Sequence, residues 1–140
     1  MWDAHASRYG AQERHERRAI DAAVRIAAVR PDDTVVDLAT GTGAVLRALA
    51  AGGDARPAVA IGVDRSPQML SRVGALPAGW STSKGDARCV PLPDGVADVV
   101  ICSYLLHLLA PSDRLAVLAE ARRLLRPGVS ARLVLSLIHI

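Results

Sequence analysis

Phenylalanine is absent from this 140-residue chain, and two Trp and two Tyr supply its only aromatic rings. With so few aromatic residues there is no platform on which successive bases could stack, as single-stranded nucleic-acid binding requires. Lysine is nearly absent as well: Lys84 stands alone, and the net charge of +3 rests on arginines scattered along the chain. Nucleic-acid recognition gathers its basic residues on one surface, so the charge here reads as dispersed and solvated, with no nucleic-acid partner. Cysteine is limited to Cys89 and Cys102, outside any C-x-x-C pattern. That argues against a structural disulfide or a metal site and for a reducing, cytoplasmic setting. No apolar run approaches the roughly 20 residues of a membrane span. The opening M-W-D-A-H-A-S-R-Y is polar and charged, unlike a secretory signal. Arginine in place of lysine, with abundant alanine, points to a GC-rich bacterial genome.

Half the residues are hydrophobic, enough for one core in one ordinary domain. The most informative stretch is T-V-V-D-L-A-T-G-T-G, residues 34–43. A β-branched run with an acid leads into two glycines one residue apart, and an apolar segment of helical spacing follows. A strand that ends in a glycine turn and opens into a helix lets backbone approach a ligand closely and presents unpaired N–H groups to it.

The rest of the chain supports that turn. Residues 12–29 read as a helix, with Ile20, Ala23, Val24 and Ala27 on one face and Pro31 as the stop. Residues 34–39 form a strand buried on both faces. Residues 44–51 form a helix that turns Val45, Leu46 and Leu49 inward, and residues 58–63 form a second buried strand closing on Asp64. Ser66-Pro67 starts a helix that runs to about residue 76. Residues 80–85 form a polar edge strand ending at Asp86, and residues 96–102 form a third buried strand. Residues 112–125 form a helix with Leu115, Leu118, Ala121 and Leu125 on its inner face, and a last strand begins near residue 131. Strands alternating with helices imply βαβ units and a parallel sheet. Right-handed crossovers put the strand C-terminal ends, and with them Asp37–Gly43, Asp64, Asp86 and residues 102–104, along one edge. Ligands of open α/β sheets bind there.

Asp64 follows Gly43 by twenty-one residues at the end of the next strand, where an acid takes both hydroxyls of a ribose. A dinucleotide fingerprint needs a third glycine at position 46, and the chain has Leu46, which argues against NAD. Asp37, four residues before Gly41, suits a cationic group better than a phosphate.

Four motifs in order, D-L-A-T-G-T-G, G-V-D-R-S-P-Q-M-L, G-D-A-R-C-V-P-L-P-D-G-V-A-D-V-V-I-C-S-Y-L-L-H and R-R-L-L-R-P-G, resemble class I S-adenosylmethionine-dependent methyltransferases. The likeness is to the small-molecule branch (methyltransferase type 11) that includes the quinone-biosynthesis C-methyltransferases, and it covers most of residues 1–134. It implies a Rossmann-like, doubly wound, mostly parallel α/β sheet with helices on both faces, and S-adenosyl-L-methionine as cofactor. It further implies that Asp37 and the backbone of Ala39, Thr40, Gly41 and Gly43 hold the methionine amino end, and that Asp64 binds the ribose. Arg65 and Met69 would flank the adenine, Asp86 would take its amino group with Ala87 beside it, and Cys102 and Ser103 would line the floor below the sulfonium. The opening W-D-x-x-A-x-x-Y resembles the family's N-terminal lid, with Tyr9 closing over the carboxylate end.

In-line methyl transfer needs no nucleophilic residue, and neither G-x-S-x-G nor H-E-x-x-H occurs. His107 is the candidate general base on a small-molecule acceptor, while His5 and His15 read as surface residues. Two other readings stay open at this point: a non-catalytic cofactor-binding module and an NAD(P)-linked oxidoreductase. The resemblance also implies two further strands, and the chain stops inside its fifth. Its last six residues, L-S-L-I-H-I, look like a translated sequencing adapter. The expectation is an incomplete domain over residues 1–134 with a scar at 135–140, unstable or inactive as it stands.

Overall fold

The computed structural model describes residues 2–103 and 105–136, with side chains from Arg14 onward. Helix α1 (Trp2–Ala27) leads into β1 (Thr34–Leu38), α2 (Ala44–Ala50), β2 (Val59–Asp64), α3 (Pro67–Leu70) and β3 (Ser81–Lys84). Then come β4 (Val99–Ser103), α4 (Pro111–Leu124) and β5 (Arg132–Ser136), with short 3-10 turns at Gly53–Ala55 and Leu106–Leu108. The five strands form one sheet in the order β3-β2-β1-β4-β5, and every neighbouring pair is parallel. The chain builds outward one way from β1 through β2 to β3 and the other way from β4 to β5. The β1–β4 boundary is therefore the point where strand order reverses, the place where open α/β sheets form a ligand crevice.

Both faces of the sheet are covered. Alternate residues of β1 and β4, Val35, Val99 and Ile101, pack with Ala60 and Val134 against Ile20, Ala23 and Ala27 of α1 and Val45, Leu46 and Leu49 of α2. The intervening residues Val36, Leu38, Val100 and Cys102 pack with Val63 against Val117, Ala121 and Leu124 of α4. This two-sided burial is why β1 and β4 are near-continuously apolar. The edge strand β3, S-T-S-K, is mostly exposed and correspondingly polar. Arg132 of β5 fastens α1 to the sheet: its guanidinium donates to the Ala27 carbonyl at 2.7 Å and to Asp33 at 2.8 Å.

Several boundaries differ from those read in the sequence. Helix α1 begins at Trp2 rather than near residue 12, since no proline interrupts the chain before Pro31 and alanine, arginine and glutamate favour helix. Helix α3 stops after one turn instead of continuing to residue 76. Ser66 caps it by accepting from the Met69 N–H, as its sequence signal required. The chain then tightens into i→i−3 bonds from Arg72 and Val73 and reverses at Gly74, whose φ is +80°. The inner face of α4 is Val117, Ala121 and Leu124, whereas Leu115 is 69% exposed. Strand β4 begins at Val99, not 96, because Gly95 and Ala97 donate instead to the carbonyls of Arg123 and Leu124 at the end of α4. Residues 137–140 lie outside the described residues.

Candidate functional site

At the end of β1 the backbone turns left-handed three times in five residues: Ala39 (φ +58°), Gly41 (φ +58°) and Gly43 (φ +87°). For the two glycines this conformation is free of steric cost; for Ala39 it is strained, a feature common where backbone is shaped around a ligand. The turn is pinned to β2. The Thr40 N–H donates to the Val63 carbonyl at 2.9 Å, and the Gly41 N–H donates to Asp64 Oδ2 at 2.9 Å. Asp64 Oδ1 accepts from the Ser66 N–H at 2.9 Å, so one carboxylate ties the glycine turn to the start of α3. Each oxygen keeps acceptor capacity facing outward. Beneath the turn lies Gly62, where a Cβ would come within 2.8 Å of the Thr40 side chain and 2.9 Å of Leu46. Gly62 was not singled out in the sequence, and only the pairing of β2 with β1 shows why it has no side chain.

Behind the turn, on the face covered by α1 and α2, four buried polar atoms have no hydrogen-bond partner among the described residues: both carboxylate oxygens of Asp37, the Thr40 hydroxyl and the Ser103 hydroxyl. Asp37 is 1% exposed. Burial pushes its pKa up to about 7; the nearby Thr40 hydroxyl offsets part of the rise, and the Asp64 charge adds to it. An unpaired buried carboxylate is costly, and such an atom in a native fold calls for a partner.

In front of the turn, on the α4 side, opens a cleft of about 300 Å³. One wall carries Asp64, Arg65, Asp86 and Arg88 with the backbone of Ala39, Gly85 and Ala87; Asp113 and Val117 of α4 close it. Leu105, Leu108 and Leu109 form an apolar wall. Asp86 is held by Arg88 in a forked pair, with Nη2–Oδ2 at 2.7 Å and Nε–Oδ1 at 3.0 Å. The Arg88 contacts bring the Asp86 pKa down to about 2. Cys102 is buried on the α4 face, where desolvation, helped by the Asp37 charge, pushes its thiol up to about 12 and keeps it un-ionised. Among the described residues no group of three or more His, Cys, Asp or Glu could hold a metal ion.

A family model described as a methyltransferase domain matches residues 35–128. The chain is 39% identical over 107 residues to the ubiquinone/menaquinone biosynthesis C-methyltransferase UbiE of Acidiphilium cryptum, an alignment covering 71% of this chain and 40% of that protein. The demethylmenaquinone methyltransferase of Thermus thermophilus is 36% identical over 124 residues, covering 86% and 53%. Among solved structures, the protein in complex with the methyltransferase activator Trm112 of Haloferax volcanii superposes with a TM-score of 0.72 at 31% identity, covering 91% of this chain and 55% of that one. The chain belongs to the class I S-adenosylmethionine-dependent methyltransferases. It spans about half the length of the curated relatives it matches.

Against that family's cofactor, the residues present form a fitting set. The unpartnered Asp37 carboxylate and the Thr40 and Ser103 hydroxyls match a group that brings both positive charge and hydrogen-bonding capacity, as an amino-acid end does. Asp64 and Asp86 stand apart from them on the cleft wall. Of the residues singled out in the sequence, the cleft brings together Ala39, Asp64, Arg65, Asp86 and Ala87. Asp37, Thr40 and Ser103 lie buried behind the turn that Gly41 and Gly43 shape, and Cys102 packs into the core under α4. Met69 is 43% exposed and does not line the cleft. His107 is exposed on the 3-10 turn and does not line it either, because that turn directs Leu105, Leu108 and Leu109 there. The side chains of Tyr9 and His5, and all of Tyr104, lie outside the described residues; His15 is exposed. Arg88, Asp113 and the three leucines were missed. Asp86-x-Arg88 was a legible local pair, but nothing local joins either residue to Asp113 or to the leucines.

Proposed function

We propose that the chain forms the cofactor half of a methyltransferase that moves a methyl group from S-adenosyl-L-methionine to a small apolar acceptor. The observation that carries this reading is the buried, unpartnered quartet of Asp37, Thr40 and Ser103 oxygens beside a cleft walled by two further carboxylates. In this reading Asp37 pairs with the cofactor's ammonium and Asp64 accepts from the ribose hydroxyls with its remaining acceptor capacity. Asp86 faces the adenine amino group, and Arg65 and Ala87 flank the ring. The cofactor supplies an activated methyl on a sulfonium, a good leaving group. The chain's own work is then to position it and to keep water away, and these are the effects that dominate an in-line displacement.

Leu105, Leu108 and Leu109 offer the acceptor an apolar surface, and Leu108 is 73% exposed among the described residues. The relatives named for quinone biosynthesis make a quinone-type ring the acceptor class of choice. No helix among the described residues is long and apolar enough to cross a membrane. The two free cysteines fit a reducing, cytoplasmic compartment. Calorimetry tests the cofactor assignment. S-adenosylhomocysteine binds one to one, Asp64→Ala weakens it at least about tenfold through loss of a charge-assisted acceptor, and NAD gives no heat. Binding of NAD in its place contradicts the reading.

A further inference from the structure

Asp86 is the cleft carboxylate whose acceptor positions are most heavily taken, and the group that takes them is Arg88. Oδ1 accepts from the Arg88 backbone N–H at 2.8 Å and from Nε at 3.0 Å, while Oδ2 accepts from Nη2 at 2.7 Å and from Nε at 3.2 Å. A carboxylate offers about four acceptor sites in all; the three Arg88 N–H groups, with Nε–H shared between the two oxygens, take most of them, so an exocyclic amino group arriving at Asp86 competes with the guanidinium. Nothing similar happens at Asp64, which spends one site per oxygen on backbone N–H groups. The guanidinium is also anchored from the opposite side: Nη1 donates to Asp113 Oδ1 at 3.1 Å, in the first turn of α4. Arg88 thereby spans the cleft from the β3 side to α4, with both ion pairs near the surface (side chains 37–43% exposed). Exposed pairs of this kind are worth little individually, which makes the bridge breakable by a ligand that competes for Asp86.

We infer that Arg88 is an internal competitor for the adenine end of the cleft, held across it by Asp113, and that it sets how much a ligand's exocyclic amino group contributes to affinity. The inference rests on the reading of Asp86 as the acceptor for that group. It makes Arg88 a specificity-determining residue: with the guanidinium in place the amino group gains little, and with it released the amino group gains a full charge-assisted hydrogen bond.

The test is calorimetric titration of the full chain with S-adenosylhomocysteine and with its 6-deamino purine analogue, in wild type, R88Q and D113N. Relief of one exposed ion-pair contact is worth about two- to fivefold in affinity. R88Q is expected to tighten S-adenosylhomocysteine by that factor and to leave the deamino analogue unchanged. D113N, which keeps the local Asp86–Arg88 pair and frees only the α4 anchor, shifts the same ratio in the same direction by less. Thermal unfolding separates this from a structural role, since loss of the bridge lowers the midpoint slightly while affinity rises. Equal or weaker binding of S-adenosylhomocysteine by R88Q, or equal tightening of both ligands, overturns the inference while leaving the cofactor assignment intact. Absence of binding in wild type, R88Q and D113N alike overturns both.

Discussion

Asp37 carries a large electrostatic cost. It is fully buried, has no charged partner among the described residues to offset that burial, and has its pKa raised from 3.8 to about 7, chiefly by desolvation and in spite of the nearby Thr40 hydroxyl. Between those two values the folded chain holds a proton that the unfolded chain has lost, so stability falls as pH rises from about 4 to about 7. Outside that window Asp37 contributes no slope. The loss is on the order of 4 kcal/mol by linkage. Asp86 acts in a separate range: its lowered pKa gives stability above about pH 4 that is lost as pH falls towards 2. Urea unfolding at pH 5 and pH 8 checks the first effect. Asp37→Asn removes the slope and is more stable than wild type at pH 8, yet binds S-adenosylhomocysteine more weakly. A cation is what makes the carboxylate affordable, so wild-type affinity for that ligand rises up to about tenfold per pH unit towards 7 and then levels. A pH-independent affinity contradicts the pairing of Asp37 with the ammonium.

Among the elements, those with strong local signals were legible. Strand β1, the glycine turn and α2 lie within a residue of where their β-branched run, Gly41, Gly43 and apolar spacing put them. The cap and proline of α3 were equally legible, but its length was not, because no sequence signal marked the i→i−3 tightening before Gly74. The face of α4 was misread by a partial rotation. Leu115 looks as suitable as Val117, and only packing against Val100, Cys102 and Leu106 selects Val117, Ala121 and Leu124, with Leu118 and Leu125 partly buried beside them. Two substitutions check that rotation. Leu124→Ala, at a fully buried site, costs about 2–5 kcal/mol. Leu115→Ala, at a site 69% exposed, stays within about 0.5 kcal/mol. Denaturant midpoints distinguish the two, and equal costs refute the placement of α4.

At the level of the whole molecule, the site is a property of topology. Asp37, Asp64, Asp86 and Ser103 are far apart in sequence and come from four strand ends. They converge because all five strands run parallel and the order reverses between β1 and β4. This convergence was legible, since alternating strands and helices permit little else. Contacts made across the cleft were not: the Arg88–Asp113 bridge and the apolar wall depend on where α4 and the Leu106–Leu108 turn settle. A second groove, lined by Arg122, Arg126, Gly128 and Leu133 at the far end of α4, has no acidic residue in its lining and has no part in this account. Amide chemical-shift mapping during an S-adenosylhomocysteine titration compares the two ends directly. The account predicts large shifts at Ala39–Gly43, Asp64, Asp86 and Ser103 and none at Arg122–Leu133. Shifts confined to the second groove, or spread evenly over the sheet, would contradict it.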